Sequence, residues 1–277
     1  MIQDIFPSKL YNEFTDHKIK DDDILLFFDD KGRVLLGDGS KDSIFTTGAE
    51  TGNTRTVYLF SVNERRFFLA LDYNERVRDD FSYYTIREVR DMLSGEEVYA
   101  IFTAYHLWKW YSDNVYCGKC GAELILDNKE RALRCPKCDN LIFPRINPAV
   151  IVGVINKDKL LITRYRTGYR HNALVAGFVE IGETIEETVM REVMEETGIR
   201  VKNIRYYKSQ PWGMAQDILV GFFCDVDGDD EIRMDENELK YARWVSGEEI
   251  ELQPNNLSLT NEMMKVFKDG KLKEYYQ

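Results

Sequence analysis

The chain has 277 residues, which at ~150 residues per domain suggests two domains. Its 44% hydrophobic, 13% aromatic and 31% charged content excludes a disordered, collagen-like or low-complexity polymer. With 37 Lys plus Arg against 48 Asp plus Glu, the formal net charge of −11 argues against gripping nucleic acid through bulk charge, so an anionic substrate must be met locally, by a basic patch or by metal ions. The opening segment MIQDIFPSKLYNEF has no basic stretch followed by an apolar run, and nothing approaches ~18 uninterrupted apolar residues. No membrane segment and a cytoplasmic location are therefore expected.

Residues 1 to about 95 are predicted to form an antiparallel sheet region. Ile24–Phe28, Val34–Leu36, Val57–Val62 and Phe67–Leu71 are β-rich, and Asp29-Asp30-Lys31-Gly32 reads as a hairpin turn. From Glu96 to Asn114 the period changes. Val98, Ile101, Phe102, Tyr105 and Trp108 fall at helical spacing, which predicts a helix. Its aromatic stripe, with Trp110 and Tyr111, suits a core or a subunit interface better than a ligand cage.

Cys117, Cys120, Cys135 and Cys138 form two Cys-x-x-Cys pairs within 22 positions. In a chain expected to stay in a reducing compartment, that spacing indicates a thiolate metal site rather than disulfides. Gly118 and Gly121 permit tight turns at the first pair, Lys119 and Lys137 offset thiolate charge, and two such knuckles close a tetrahedron suited to Zn²⁺. Four thiolates leave no open position, so the metal is expected to be structural. Cys224, inside an apolar run, reads as a buried strand residue.

Two prolines in Phe143-Pro-Arg-Ile-Asn-Pro148 mark a junction before an apolar strand, Ala149–Ile155. A turn at Lys157–Lys159 leads into a strand at Leu160–Arg164, and Thr167–His171 reads as a polar loop. Further strands are predicted at Arg205–Lys208, Ile218–Asp225 and Ala242–Val245, with helices over about 184–197 and 258–268. This mixture predicts an α+β sandwich.

Between the Thr167–His171 loop and the strand at Arg205–Lys208 lies the chemistry. Thr184 and Glu187 make a capping box and Gly198 suits the left-handed position after a helix end, so a helix is predicted from Ile185 to Thr197. At ~100° per residue, Val189, Met190, Val193 and Met194 form an arc expected to face the sheet. Glu192 and Glu196 share a face at i and i+4, with Glu196 pointing into that arc and Glu195 to one side. Like charges so placed repel, and a buried unpaired carboxylate costs several kcal/mol. A solvated acidic helix paired with Arg191 is the plain alternative. A divalent cation in the gap removes the penalty, and hard oxygen donors select Mg²⁺ or Mn²⁺.

The segment from Gly177 to Ile199 matches Gly-x5-Glu-x7-Arg-Glu-U-x-Glu-Glu-x-Gly-U, with U aliphatic, at every position. It resembles the Nudix box of hydrolases that cleave nucleoside diphosphates linked to another moiety. With the cysteine module, the Pro-Arg-x-x-Pro junction and Ser209-Gln210-Pro211-Trp212, the chain over about 112–270 resembles the NADH pyrophosphatase subfamily, whose signature continues Pro-Phe-Pro-x-Ser. Here that half reads Gly213-Met214-Ala215-Gln216-Asp217. The two lost prolines predict a more flexible loop.

The resemblance implies an α+β protein with a Nudix α/β/α sandwich at 146–277 and a zinc ribbon at 113–145; ahead of them the residue pattern itself predicts a mostly antiparallel β domain ending in a helix at 1–112. It implies that Glu192, Glu195, Glu196 and Glu238, with the Ala176 carbonyl, hold Mg²⁺ or Mn²⁺. Glu196 would also serve as general base, and Arg191 would orient the glutamates. Substrate contacts are implied at Phe143, which stands where the subfamily has tyrosine, at Phe178, at Gln210, Pro211, Trp212, Gly213, Met214, Ala215, Gln216 and Asp217, and at Leu259. The implied reaction is hydrolysis of NADH or NAD⁺ to nicotinamide mononucleotide and AMP by a homodimer, extending to removal of NAD caps from RNA. Another Nudix activity such as ADP-ribose hydrolysis, or a non-catalytic nucleotide sensor or RNA-binding regulator, are the alternatives.

Overall fold

Strands in the first half of the chain form where β-branched and aromatic residues run together. In the computed structural model, which describes residues 1–39, 44–72, 80–93, 95–168 and 170–275, they build a five-stranded sheet. Its order is Leu10–Tyr11, Thr56–Val62, Arg65–Ala70, Ile24–Leu26 and Thr46–Thr47. Among the described residues the region is mostly antiparallel, as expected, with one exception. Ile24–Leu26 runs parallel to Arg65–Ala70, a pairing that needs the long crossover between them. The turn at Asp29–Gly32 is present: Gly32 N–H donates to the Asp29 carbonyl at 3.0 Å, and Gly32 takes φ 75°.

Helix α1 (Ile86–Met92) was not expected, although Thr85 and Glu88 cap it reciprocally. Helix α2 (Gly95–Asp113) follows. Its Val98, Ile101, Phe102 and Trp110 are buried, while Tyr105 and Trp108 pack on Phe28 with ring centroids 6.0 and 5.3 Å away. The cysteine module is a small three-stranded sheet of Ile125–Leu126, Leu133–Arg134 and Leu141–Ile142. These elements make one compact unit, 3–145 together with 213–216.

The other unit comprises 1–2, 146–212 and 217–277. Its mixed sheet has the order Val201–Trp212, Asp217–Val226, Asn147–Asn156, Lys159–Tyr165 and Leu239–Ser246. Asn147–Asn156 runs parallel to Asp217–Val226 and antiparallel to Val175–Phe178, a strand the sequence did not predict. Helix α3 (Ile185–Thr197) covers one face through Val189 and Val193 on Val150, Val152 and Phe222. Helix α4 (Leu259–Lys268) covers the other through Leu259 and Met263 on Ile151 and Phe223. This is an α/β/α sandwich, with Cys224 fully buried in it. Among the described residues no helix is long and apolar enough to cross a membrane.

Candidate active site

The α3 boundaries are set by local chemistry. Thr184 accepts the Glu187 N–H while Glu187 returns a carboxylate to the Thr184 N–H, and Gly198 closes the helix at φ 70°. The helix is rotated relative to the expected arc. Val189 and Val193 are fully buried and Glu196 is 2% exposed, whereas Met190 and Met194 stand 43% and 41% exposed. The buried face thus runs through Thr188, Val189, Val193, Glu196 and Thr197, and the methionines lie outside it.

Glu196 therefore carries a carboxyl into the interior. The Tyr165 hydroxyl donates to its Oε1 at 3.1 Å, and its Oε2 is buried without a hydrogen-bond partner. Burial pushes its pKa up to about 8; Tyr165 and the Ala176 backbone pull it down, and Glu238 and Glu192 push it further up. Glu192 is raised as well, chiefly by burial and against the pull of Arg191. Gly177 makes room for it, because a Cβ there would stand 1.9 Å from the Glu192 carboxyl carbon.

Arg191 gathers the remaining acids. It bonds Glu183 at 2.6 Å, Glu192 at 2.8 Å and Glu195 at 2.9 Å, and donates to the Phe178 carbonyl at 2.9 Å. Glu183, held down to about 2 mainly by this guanidinium, is its nearest acid partner. The motif contains Glu183, but the spacing alone did not reveal that role. Glu195 and Glu238 are exposed, and Glu238 is close enough to raise both Glu192 and Glu196. Their oxygens do not converge as tightly as the cysteines, which are the one set of three or more possible ligands within 4.8 Å of one another among the described residues. The donors still fit a hard divalent cation: all are oxygens, acid charge is in excess, and Glu196 Oε2 is buried and unpaired.

The cysteine module fits zinc. Sγ separations of 3.7 Å for Cys117–Cys138 and 3.4 Å for Cys120–Cys135 approach the ~3.8 Å edge of a tetrahedron with ~2.3 Å bonds. The two knuckles repeat one geometry. Gly121 and Asp139 donate to the Cys117 and Cys135 carbonyls at 2.8 and 3.0 Å, with φ 73° and 58°. A backbone hydrogen bond from Lys119 leads the effects that lower the Cys117 thiol to about 6.

Residues 145–267 match the family described as NUDIX domain, and residues 112–143 match the NADH pyrophosphatase zinc ribbon domain. The chain carries a Nudix domain behind a zinc ribbon. It is 39% identical over 173 residues to the NAD-capped RNA hydrolase NudC of Shigella dysenteriae, an alignment covering 61% of this chain and 66% of that protein. It is 41% identical over 151 residues to the protein of that name from Escherichia coli, covering 53% and 58%. The chain thus spans about three-fifths of the length of these curated relatives. A Nudix hydrolase structure from Nitrosomonas europaea shares the fold at TM-score 0.50 and 21% identity, covering 56% of this chain and 91% of that one.

Around the Nudix box, the residues expected to touch substrate occupy varied settings. Phe178, the second residue of the box, is 53% exposed, and Phe143, in the first unit, is 54% exposed. Ser209–Trp212 is not a loop but the end of the strand Val201–Trp212. Pro211 is tolerated there because the strand lies at the sheet edge. Gln210 is fully buried. Its carbonyl accepts the Leu259 N–H at 2.7 Å and its amide donates to the Leu257 carbonyl at 2.8 Å, so it ties the strand to the start of α4. Leu259 is buried against the sheet. Gly213–Gln216 belong to the first unit, and Asp217 is buried with one carboxylate oxygen unpartnered.

Proposed function

We propose that this chain hydrolyses the pyrophosphate of NADH and NAD⁺ to nicotinamide mononucleotide and AMP, and removes NAD caps from RNA, with Mg²⁺ or Mn²⁺. The observation that carries the reading is the buried Glu196 carboxyl beside Glu192, with acidic neighbours and an orphaned oxygen. Without a cation that arrangement is costly. The name carried by relatives about 40% identical favours the NAD-linked substrate among Nudix reactions.

In this reading Glu192, Glu195, Glu196 and Glu238, with the Ala176 carbonyl, hold the cation, which neutralises the pyrophosphate charge and acidifies water when bound. Glu196 accepts the proton of the attacking water. Arg191 holds Glu192 and Glu195 on one side through its guanidinium, restricting their orientations. Phe178 offers a flat exposed ring on which a base or nicotinamide stacks, and Gln210, Pro211, Trp212, Asp217 and Leu259 of the same unit are the further substrate-side positions. The zinc ribbon holds the end of the first unit rigid. The working form is a homodimer in the cytoplasm.

A panel of NADH, NAD⁺, ADP-ribose, diadenosine polyphosphates and NAD-capped RNA, assayed with and without Mg²⁺, tests the proposal. Metal-dependent AMP release from NADH supports it. Preference for ADP-ribose transfers the reading to another Nudix substrate, and binding without turnover makes the protein a sensor.

A further inference from the structure

The Glu196 carboxyl has two unequal oxygens. Oε1 accepts from the Tyr165 hydroxyl at 3.1 Å, whereas Oε2 is buried with no partner among the described residues. The same hydroxyl lies 3.4 Å from the Ala176 carbonyl. A phenol has one proton to give, and the shorter contact is to the carboxylate.

Tyr165 reaches this place because the sheet is irregular there. It ends the strand Lys159–Tyr165, where Arg164 faces Tyr241 but Tyr165 faces Leu239, leaving Lys240 as an extra residue on the partner strand. A bulge of this kind re-aims a side chain. The backbone just beyond is pinned by the Arg166 N–H to the Glu238 carbonyl at 2.9 Å. The phenol that meets Glu196 is therefore held by strand pairing, while Arg191 works through Glu192 and Glu195 and makes no ion pair with Glu196 among those the structure shows. An inward apolar position here would be served by phenylalanine. The hydroxyl is explained by the carboxylate it meets.

We propose that Tyr165 is a positioning residue for Glu196: by engaging Oε1 it fixes the rotation of the carboxyl and leaves Oε2 as the atom presented to cation and water. This rests on the hydrolase reading above. A partner behind a metal-binding carboxylate orients it and sets its affinity, and loss of such partners typically costs ~10–100-fold in metal affinity or activity.

The test is Tyr165→Phe in the full chain with zinc retained. Mn²⁺ binding is followed by electron paramagnetic resonance, and NADH turnover is measured at saturating Mn²⁺. The expected result is a Mn²⁺ Kd raised ~10-fold and a kcat lowered on the order of 10-fold, with KM for NADH within about twofold of wild type. A Kd and kcat both unchanged, or a raised KM with kcat intact, overturns the proposal. A variant that merely melts lower while Kd and kcat hold overturns it too. The Mn²⁺ arm separates the two ideas: if the wild type binds Mn²⁺ but hydrolyses none of the nucleotides, the hydrolase reading fails, and a weakened Kd in the variant still supports the role of Tyr165 at Glu196.

Discussion

Replacing Glu196 by Gln separates the cost of the site from its use. The carboxyl is 2% exposed, and burial lifts its pKa from 4.5 to about 8. At ~1.4 kcal/mol per pH unit, keeping the anion in the cation-free fold costs roughly 5 kcal/mol. The folded pKa lies above the unfolded one, so the native state binds the proton more tightly. Below pH 4.5 both states are protonated and the penalty vanishes; it grows as pH rises towards about 8 and is constant beyond. Wild type without Mg²⁺ or Mn²⁺ should therefore melt at a lower temperature at pH 9 than at pH 5, by an amount on the order of 10 °C. Glu196→Gln, neutral and nearly the same shape, should lose this component of the slope and melt above wild type at pH 9. Added Mn²⁺ should restore wild type and do little for the variant. Turnover of NADH by the variant should fall ~10²–10⁴-fold, as for loss of a general base. Circular-dichroism melts at the two pH values, with zinc retained, give the first result and AMP release gives the second. The reasoning is refuted if the two proteins share the same pH slope, or if the variant keeps its full kcat.

Three further outcomes follow from the same geometry. Asp217, lifted to about 6 by burial despite the Asn147 side chain, has a folded pKa above its unfolded 3.8; Asp217→Asn should gain up to ~3 kcal/mol at pH 8 and nothing below pH 3.8 in urea melts, and an unchanged midpoint at pH 8 would count against the burial. Gly177→Ala places a Cβ 1.9 Å from the Glu192 carboxyl carbon, so Glu192 must move and kcat should drop ~10–100-fold with the fold retained; wild-type turnover would show that Glu192 is dispensable. Cys135→Ser removes one of four clustered thiolates, and zinc content by mass spectrometry should fall together with the melting temperature; full zinc occupancy with an unchanged melt would remove zinc from its structural role.

What the sequence disclosed is what the chain decides locally. Helix α3 was legible to the residue because Thr184, Glu187 and Gly198 act on their own backbone neighbours. Helix α1 carries the same signal at Thr85 and Glu88, but seven residues are too few for a helical period to stand out. Val175–Phe178 contains Gly177 and has only four residues; its pairing with Asn147–Asn156, not its own propensity, makes it a strand. The two parallel pairings join distant segments and leave no local trace. Hydrophobicity also misplaced Met190 and Met194, since a flexible apolar side chain at the edge of a helical arc can stay in solvent while Glu196 takes the inner place.

The altered half of the Ser-Gln-Pro-Trp segment shows how the structure changes a reading that residue types alone suggest. Replacing prolines with Gly213 and Ala215 predicts a looser loop, yet the turn is held by packing. A Cβ on Gly213 would stand 2.0 Å from the Phe102 carbonyl oxygen, so this turn accommodates no larger residue without moving against α2. Gln216 closes it in the left-handed region at φ 60°. The intact half is anchored differently: Gln210 spends both amide groups on the backbone at Leu257 and Leu259, tying the sheet edge to the start of α4. A residue so engaged has its side-chain amide committed to the backbone of its own unit. Any difference in substrate preference from the subfamily pattern is expected first at Asp217, where a buried carboxyl replaces a hydroxyl. Restoring serine at Asp217, with Gly213 left in place, is the change that alters that chemistry without disturbing the turn.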